Sequence, residues 1–479
     1  MLGTCALPIS AHTLVVNYSL VTTTILLALS SCKLVGPDHQ APEMDLPASF
    51  SHQGVSWKRT SDPKVYANSR WWKVFGDSTL TSLVNDAEAQ NLTIKAAAAR
   101  LAEARAMSRS ARAALLPSLD FRADASRTDM INRFGPGGGS LLMNFYQLPL
   151  ELSYEVNLWG KVTRQIEGAN AREAASQASI AATTLSLTAD TAQTYWALRG
   201  LDAERAIVKE SIALRKETLS LVDARFQAGT VSELDVSRAK TEVATAESEL
   251  IGMDRQRSEL VNALALLTGR AATGFQVAVD ASLPSAPRIP AGVPADLLLR
   301  RPDIFVVERN VAAANAEIGV AQAAFYPNLR LRASGGVEGI DLSDLISTDN
   351  IVWSLGSSLT YPILGQKNLR ARRDAAVANH QAVSAEYKQS VLVALRETED
   401  SLKGLDFLAR QEDAQNSAVA AAHRTLDLSK ERFEAGLVSF LEVVETERTL
   451  LATKRLATSL RAQRLAVTVN LIKALGGSW

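Results

Sequence analysis

The residues that recur at a fixed distance from a shared landmark are acidic. Asp235 lies six residues beyond Gly229, Glu442 lies six beyond Gly436, and Glu445 follows about one helical turn later. Carboxylates outside any catalytic constellation do electrostatics rather than bond-making. Repeated around an oligomer, they form rings of negative charge. The competing reading is a solvated helix face, where charged residues usually lie. No other reactive set has the spacing its chemistry needs. The five histidines, His12, His39, His52, His380 and His423, are scattered without ligand spacing. The run from Gly135 to Ser140 lacks the following Lys and helix of a phosphate loop. Neither a metal, nor a cofactor, nor an enzymatic constellation is expected.

The acidic positions belong to a larger duplication. Arg225-Phe226-Gln227-Ala228-Gly229-Thr230-Val231 returns as Arg432-Phe433-Glu434-Ala435-Gly436-Leu437-Val438. Around it, in the same order, Leu115-Leu116-Pro117 matches Phe325-Tyr326-Pro327 and Leu158-Trp159-Gly160-Lys161 matches Ile363-Leu364-Gly365-Gln366, while Asn262 to Gly269 matches Asn470 to Gly477. The period is too long for a solenoid, so a whole structural unit is repeated.

Proline maps the elements, because inside a helix it costs about 3 kcal/mol. None occurs between Leu150 and Leu283 or from Ile363 to Trp479, and both stretches are rich in strong helix formers. Each is expected to be a long helical hairpin turning at the repeated glycine. An arm from Val162 to Arg225 would run on the order of 90 Å. Ala171 to Ala182 and Ala371 to Ala385 would let helices approach closely. Before each hairpin the period falls to two. Tyr146, Leu148, Leu150, Leu152, Tyr154, Val156 and Leu158 alternate with Gln147, Glu151, Ser153, Glu155 and Asn157, and Ile351, Trp353, Leu355, Leu359 and Tyr361 alternate with Ser354, Gly356, Ser358 and Thr360. Leu119 to Asp124 and Leu329 to Ser334 are partner strands, with connections over 128–144 and 337–350. Tyr146, Tyr154, Trp159, Trp353 and Tyr361 are either core aromatics or an interfacial belt.

Four strands with one apolar face could form a small soluble sandwich. Each, however, is continuous with a helix too long to fold back over it, and four strands cannot close a barrel in lipid, which tolerates no open edge. Three chains pooling them would make a twelve-stranded barrel with a polar interior. The alternative is a lipid-anchored periplasmic helical scaffold without a channel. The chain's 51 basic and 51 acidic residues give no net charge and no case for nucleic acid.

An apolar run from Val15 to Leu29 ends in Ser30-Ser31-Cys32. This resembles a lipoprotein signal, which implies cleavage before Cys32 and lipid on its thiol. No Lys or Arg precedes Cys32, unlike most such signals. With Cys5 removed and Cys32 lipidated, neither of the two cysteines is left for a disulfide. Lys33 stands where an inner-membrane retention signal has Asp, so the outer membrane is the expected destination.

Val35-Gly36-Pro37-Asp38, Trp71-Trp72 with Phe75 and Asp77, Asn91, Leu299-Arg300-Arg301-Pro302-Asp303-Ile304, Ile318-Gly319 and Tyr326-Pro327 occur in that order on the duplicated frame. With them the chain resembles the outer-membrane efflux factors, the TolC-like channel-tunnels, and specifically their lipidated branch in tripartite RND drug-efflux systems. The resemblance implies a mainly α protomer with a transmembrane β portion: two helical hairpins and four strands, trimerising into a twelve-stranded β-barrel on an α-helical barrel. It divides the chain into a signal (1–31), a tail and equatorial segment (32–92), a first repeat (93–280), a linker (281–301) and a second repeat (302–479), with a small mixed belt around the helices. It implies a homotrimer in outer-membrane lipid that passively conducts drugs or other toxic molecules received from an inner-membrane pump through a periplasmic adaptor. Asp235, Glu442 and Glu445 would line the periplasmic aperture. Arg225, Phe226, Gly229, Val231, Arg432, Phe433, Gly436 and Val438 would meet the adaptor. The family's aperture lock also uses a base in the second tip, where this chain has Val438 and Ser439.

Overall fold

The computed structural model describes residues 34–45, 70–131, 140–289 and 300–477. Cys32, the signal and the Gly135 to Gly139 loop lie outside them. The described residues divide into two compact units.

One unit, drawn from residues up to Pro42, Ala102–Ala175 and Glu308–Glu386, holds the sheet. Its strands are β1 (Ser118–Phe121), β2 (Asp124–Ile131), β3 (Ser140–Val156), β4 (Asn328–Gly339) and β5 (Ile351–Thr360), in the order β1-β3-β4-β5 with β2 also on β3. All pairings are antiparallel. The expected first strand is thus two. Phe121 pairs with Leu150 and Asp124 with Gln147, so β2 resumes the register of β1 after a gap opposite Pro149. Arg122 still donates its N–H to the Pro149 carbonyl at 3.0 Å, but proline has no N–H to return. On its other side Pro149 pairs with Gly336, where a Cβ would run into the Leu148 and Pro149 backbone. The first hairpin also reaches further than expected, pairing as far as Ile131 with Ser140.

Register puts the apolar rows on one face. Leu119 pairs with Leu152, Leu152 with Ala333, and Ala333 with Leu355, while Leu329 joins Val156 to Leu359. The opposite face carries Asp120, Glu151, Glu155, Arg330, Arg332, Ser334 and Ser354, several of them paired. Glu155 pairs with Lys161 at 2.9 Å and Arg330 at 3.5 Å, Glu151 with Arg122 at 3.5 Å, and the Ser334 and Ser354 hydroxyls lie 2.8 Å apart.

The segment that begins at Leu34 is strapped onto this unit. Arg164, whose side chain is only 3% exposed, donates to the carbonyls of Val35 and Gly36 and pairs with Asp38 at 2.8 Å. Asn315 donates to the Pro37 carbonyl at 2.8 Å, and Gly36 lies against Gly319 so closely that a Cβ would not fit. The Val-Gly-Pro-Asp motif is therefore a docking strap.

The other unit, drawn from Glu43–Leu101, Ser176–Val307 and Tyr387–Trp479, is helical. Helices α1 (Ser78–Gln90), α4 (Glu233–Leu267) and α7 (Phe440–Ala474) lie within it, while α2 (Leu92–Ala113), α3 (Lys161–Gln227), α5 (Pro302–Ala323) and α6 (Gln366–Glu434) contribute to both units. Arms α3 and α6 have 67 and 69 residues, and the return helices α4 and α7 have 35 each. The main core joins Trp71, Trp72, Phe75, Leu80 and Val84 to Tyr195 and Trp196 of α3, Leu264 of α4, Val277, Ile289, and Leu465, Leu471 and Ile472 of α7. Residues 70–91 and 271–289 of this unit are helix and coil, with no strand among them.

The two repeats close alike. Asn91 Nδ2 donates to the Leu267 carbonyl at 2.8 Å, and Arg301 Nη1 to the Ala474 carbonyl at 3.3 Å, each being the last residue of its return helix. Gly269 packs on the Gln90 backbone and Gly476 on that of Arg300. This corrects one sequence match: Gly269 is equivalent to Gly476, not Gly477, because α4 and α7 have equal length and the shared Val-Asn pair is slipped by one residue. Arg301 also pairs with Asp303 at 2.7 Å and Glu397 at 2.8 Å, which explains the Arg-Pro-Asp spacing.

Candidate functional site

Both hairpins turn in the same way. Gly229 and Gly436 have φ of 74° and 72°, a region that charges any side chain about 1–2 kcal/mol. Gly229 N–H donates to the Phe226 carbonyl at 2.8 Å and Thr230 N–H to that of Arg225 at 3.0 Å. Gly436 and Leu437 repeat this onto Phe433 and Arg432 at 3.0 and 2.9 Å. These are Schellman-type ends.

Beneath the turns both tips share one core. Val222, Val236, Ala239, Leu426, Phe433, Phe440, Val443 and Val444 are buried, with Phe226, Val231 and Val438 packed against them. Phe433 packs on Phe440 at 5.8 Å between centroids, and the Arg225 guanidinium lies over the Phe433 ring at 4.7 Å. Of the expected adaptor-facing residues, Phe226, Val231, Phe433 and Val438 therefore belong chiefly to the tip core, and Arg225 ties the two hairpins together. Arg432, Gly229 and Gly436 are exposed. So are Leu234, Leu437 and Leu441, which sequence reasoning missed; the apolar type of Leu437 just after a polar-flanked turn was the available signal.

Each acidic candidate has a partner. Asp235 completes a capping box: it accepts from Ser232 N–H at 3.2 Å while its own N–H donates to Ser232 Oγ at 3.3 Å. Glu442 occupies the equivalent position on α7, yet Ser439 makes no side-chain cap, and Glu442 accepts from Arg432 at 3.1 Å instead. Glu445 pairs with Arg448 at 3.2 Å. Arg448 also pairs with Glu242 of α4, a buried carboxylate that Arg215 of α3 holds at 3.0 Å. Hydrogen bonding and charge from Glu242 push the Arg448 guanidinium up from its ordinary value. The Arg215–Glu242–Arg448 chain was not expected; it links hairpin one to hairpin two near the acidic positions. Among the described residues no group of His, Cys, Asp and Glu could hold a metal ion.

The family model described as outer membrane efflux protein matches residues 83–270 and 293–477. The chain belongs to that family. It is 33% identical over 463 residues to the pyoverdine export outer membrane protein OpmQ of Pseudomonas aeruginosa, covering 94% of this chain and 96% of that one. With the solvent efflux pump outer membrane protein SrpC of Pseudomonas putida it shares 31% identity over 457 residues, 95% and 97% of the two chains. The crystal structure of the Campylobacter jejuni CmeC outer membrane channel superposes with a TM-score of 0.86 at 25% identity, covering 93% of this chain and 95% of that one. The efflux protein has the channel-tunnel protomer fold and serves as an outer-membrane exit duct. No described helix is long and apolar enough to cross a membrane.

Proposed function

We propose that three copies of this chain pool their sheets into a twelve-stranded barrel and conduct toxic small molecules outward, passively, from an inner-membrane RND-type pump through a periplasmic adaptor. The observation that carries the reading is the sheet itself. It has a continuous apolar face, with Trp353 79% and Leu355 77% exposed, and ends at β1/β2 on one side and β5 on the other. Open edges in lipid leave backbone groups unpaired, and further copies would pair them. Curated relatives named for export of pyoverdine and of solvents support small-molecule cargo.

In this reading Cys32 carries lipid, consistent with Leu34, two residues on, packing against Gly160 at the strand-to-helix junction. The hairpin tips form the closed end and meet the adaptor through Arg432, Gly229, Gly436 and the exposed leucines. Asp235, Glu442 and Glu445 give the aperture its negative charge. The test is single-channel conductance in planar bilayers, with the mass determined alongside. A trimer passing small cation-selective currents, with selectivity reduced by Glu442→Gln, is expected. A monomer that leaves the membrane without detergent once Cys32 is replaced, and passes no current, would restore the anchored scaffold.

A further inference from the structure

The two strand-to-helix junctions of the duplicated frame end differently. At the first, everything is used internally. Trp159 Nε1 donates to the Pro327 carbonyl at 2.7 Å and its ring stacks on Tyr326, Lys161 pairs with Glu155, and Arg164 holds the strap. At the second, Ile363 and Leu364 are 78% and 89% exposed. The next two turns carry Lys367, Arg370 and Arg372, all exposed and without an ion pair to any described residue, and no acidic residue intervenes before Arg373. Arg373 alone is engaged, with Asp374 at 2.7 Å and the Phe325 ring.

Nothing in the fold calls for these three cations. At the start of α6 they meet the positive end of the helix dipole, and Lys367 and Arg370, three residues apart, repel each other. The equivalent positions of the first junction are Val162, Gln165 and Glu167, which carry no such charge. Their placement does suit a membrane surface. β5 ends at Thr360, and in sequence Ile363 continues the two-residue spacing of Trp353, Leu355, Leu359 and Tyr361. From Gln366 to Arg372 the helix then rises about 9 Å. That is close to the depth of one headgroup layer, roughly 5–8 Å.

We propose that Lys367, Arg370 and Arg372, with Ile363 and Leu364, form an anchor that binds the phosphate headgroups of anionic phospholipid at the periplasmic face of the outer membrane. The proposal rests on the sheet's apolar face meeting lipid. Exposed cations next to an anionic surface each strengthen association about fivefold. A salt-sensitive preference for anionic over zwitterionic lipid follows.

The test compares the full-length protein with the variants K367Q/R370Q/R372Q and K367R/R370K/R372K. Native mass spectrometry of each, titrated with phosphatidylglycerol, reads bound lipid and oligomer mass together; currents are recorded in pure phosphatidylcholine. The expected result is a loss of phosphatidylglycerol retention of about fivefold per neutralised residue, retention in the charge-keeping variant, and unchanged mass and current. Equal retention by the wild type and the glutamine variant overturns the proposal. So does a glutamine variant that falls to monomers while still holding lipid, since the cations then face a second copy. If the wild type neither inserts nor conducts in phosphatidylcholine, the lipid-facing reading has failed and the anchor with it, a result distinct from insertion without lipid preference.

Discussion

Asp235 and Glu442 hold the same place after their turns and do different work. Ser439-x-x-Glu442 is the more favourable capping-box pattern on paper, yet it is Ser232-x-x-Asp235 that forms the box, while Glu442 reaches across the hairpin to Arg432. Spacing puts both acids in the same place and does not separate them, since each has an arginine ten residues back: Arg432 turns to Glu442, whereas Arg225 lies over the Phe433 ring and leaves Asp235 to its serine. The consequence is unequal. Asp235→Ala removes the returning half of a capping box while Ser232 stays as the cap, and a lower melting temperature corresponding to about 0.3–1.5 kcal/mol is expected along with any change in current. Glu442→Gln breaks an exposed pair worth about 0–1 kcal/mol, so its melting temperature should stay near wild type while cation selectivity falls. Thermal melts run beside conductance separate the two; a Glu442→Gln protein as destabilised as Asp235→Ala would contradict this assignment.

At the scale of elements, helices and strands were legible because their signals are local: proline-free Ala, Leu, Glu and Arg-rich stretches for the arms, strict alternation for the strands. What the sequence hid were consequences of pairing. Pro149 interrupts its neighbour strand rather than its own, and the slipped Val-Asn match is exposed only by the equal lengths of α4 and α7. Ion pairs between helices were equally invisible. Glu412 of α6 is buried against α7, where burial alone would raise its carboxyl, but hydrogen bonds from Arg464 and Arg461 outweigh that and hold it below its ordinary 4.5. A depressed acid contributes stability that is complete above the unfolded value and is lost as pH falls through the folded one. Wild type should therefore outlast Glu412→Gln at neutral pH by about 1–2 kcal/mol, after discounting for the part-exposed arginines. The gap should close below pH 4.5. Melting both proteins across that range checks it, and a gap independent of pH would assign the loss to packing.

For the whole molecule, the two faces of the sheet are the decisive feature, because they separate a barrel in lipid from a strand layer in water. Leu355 and Ser354 are neighbours on β5 that point to opposite faces, Leu355 in line with Ala333 and Leu152, Ser354 hydrogen-bonded to Ser334. An arginine on the lipid face of a barrel costs about 2–4 kcal/mol at mid-membrane and far less on the lumen face. Leu355→Arg should accordingly lower the amount of protein recovered in outer-membrane fractions, while Ser354→Arg should insert normally and reduce cation preference by adding positive charge to the lumen. A soluble sheet predicts the reverse order of tolerance: Leu355→Arg would merely add a charge to an already exposed site, and Ser354→Arg would lose a hydroxyl pair and place a like charge diagonal to Arg332. Comparing membrane recovery of the two variants at matched expression decides between these accounts without any knowledge of the transported molecule.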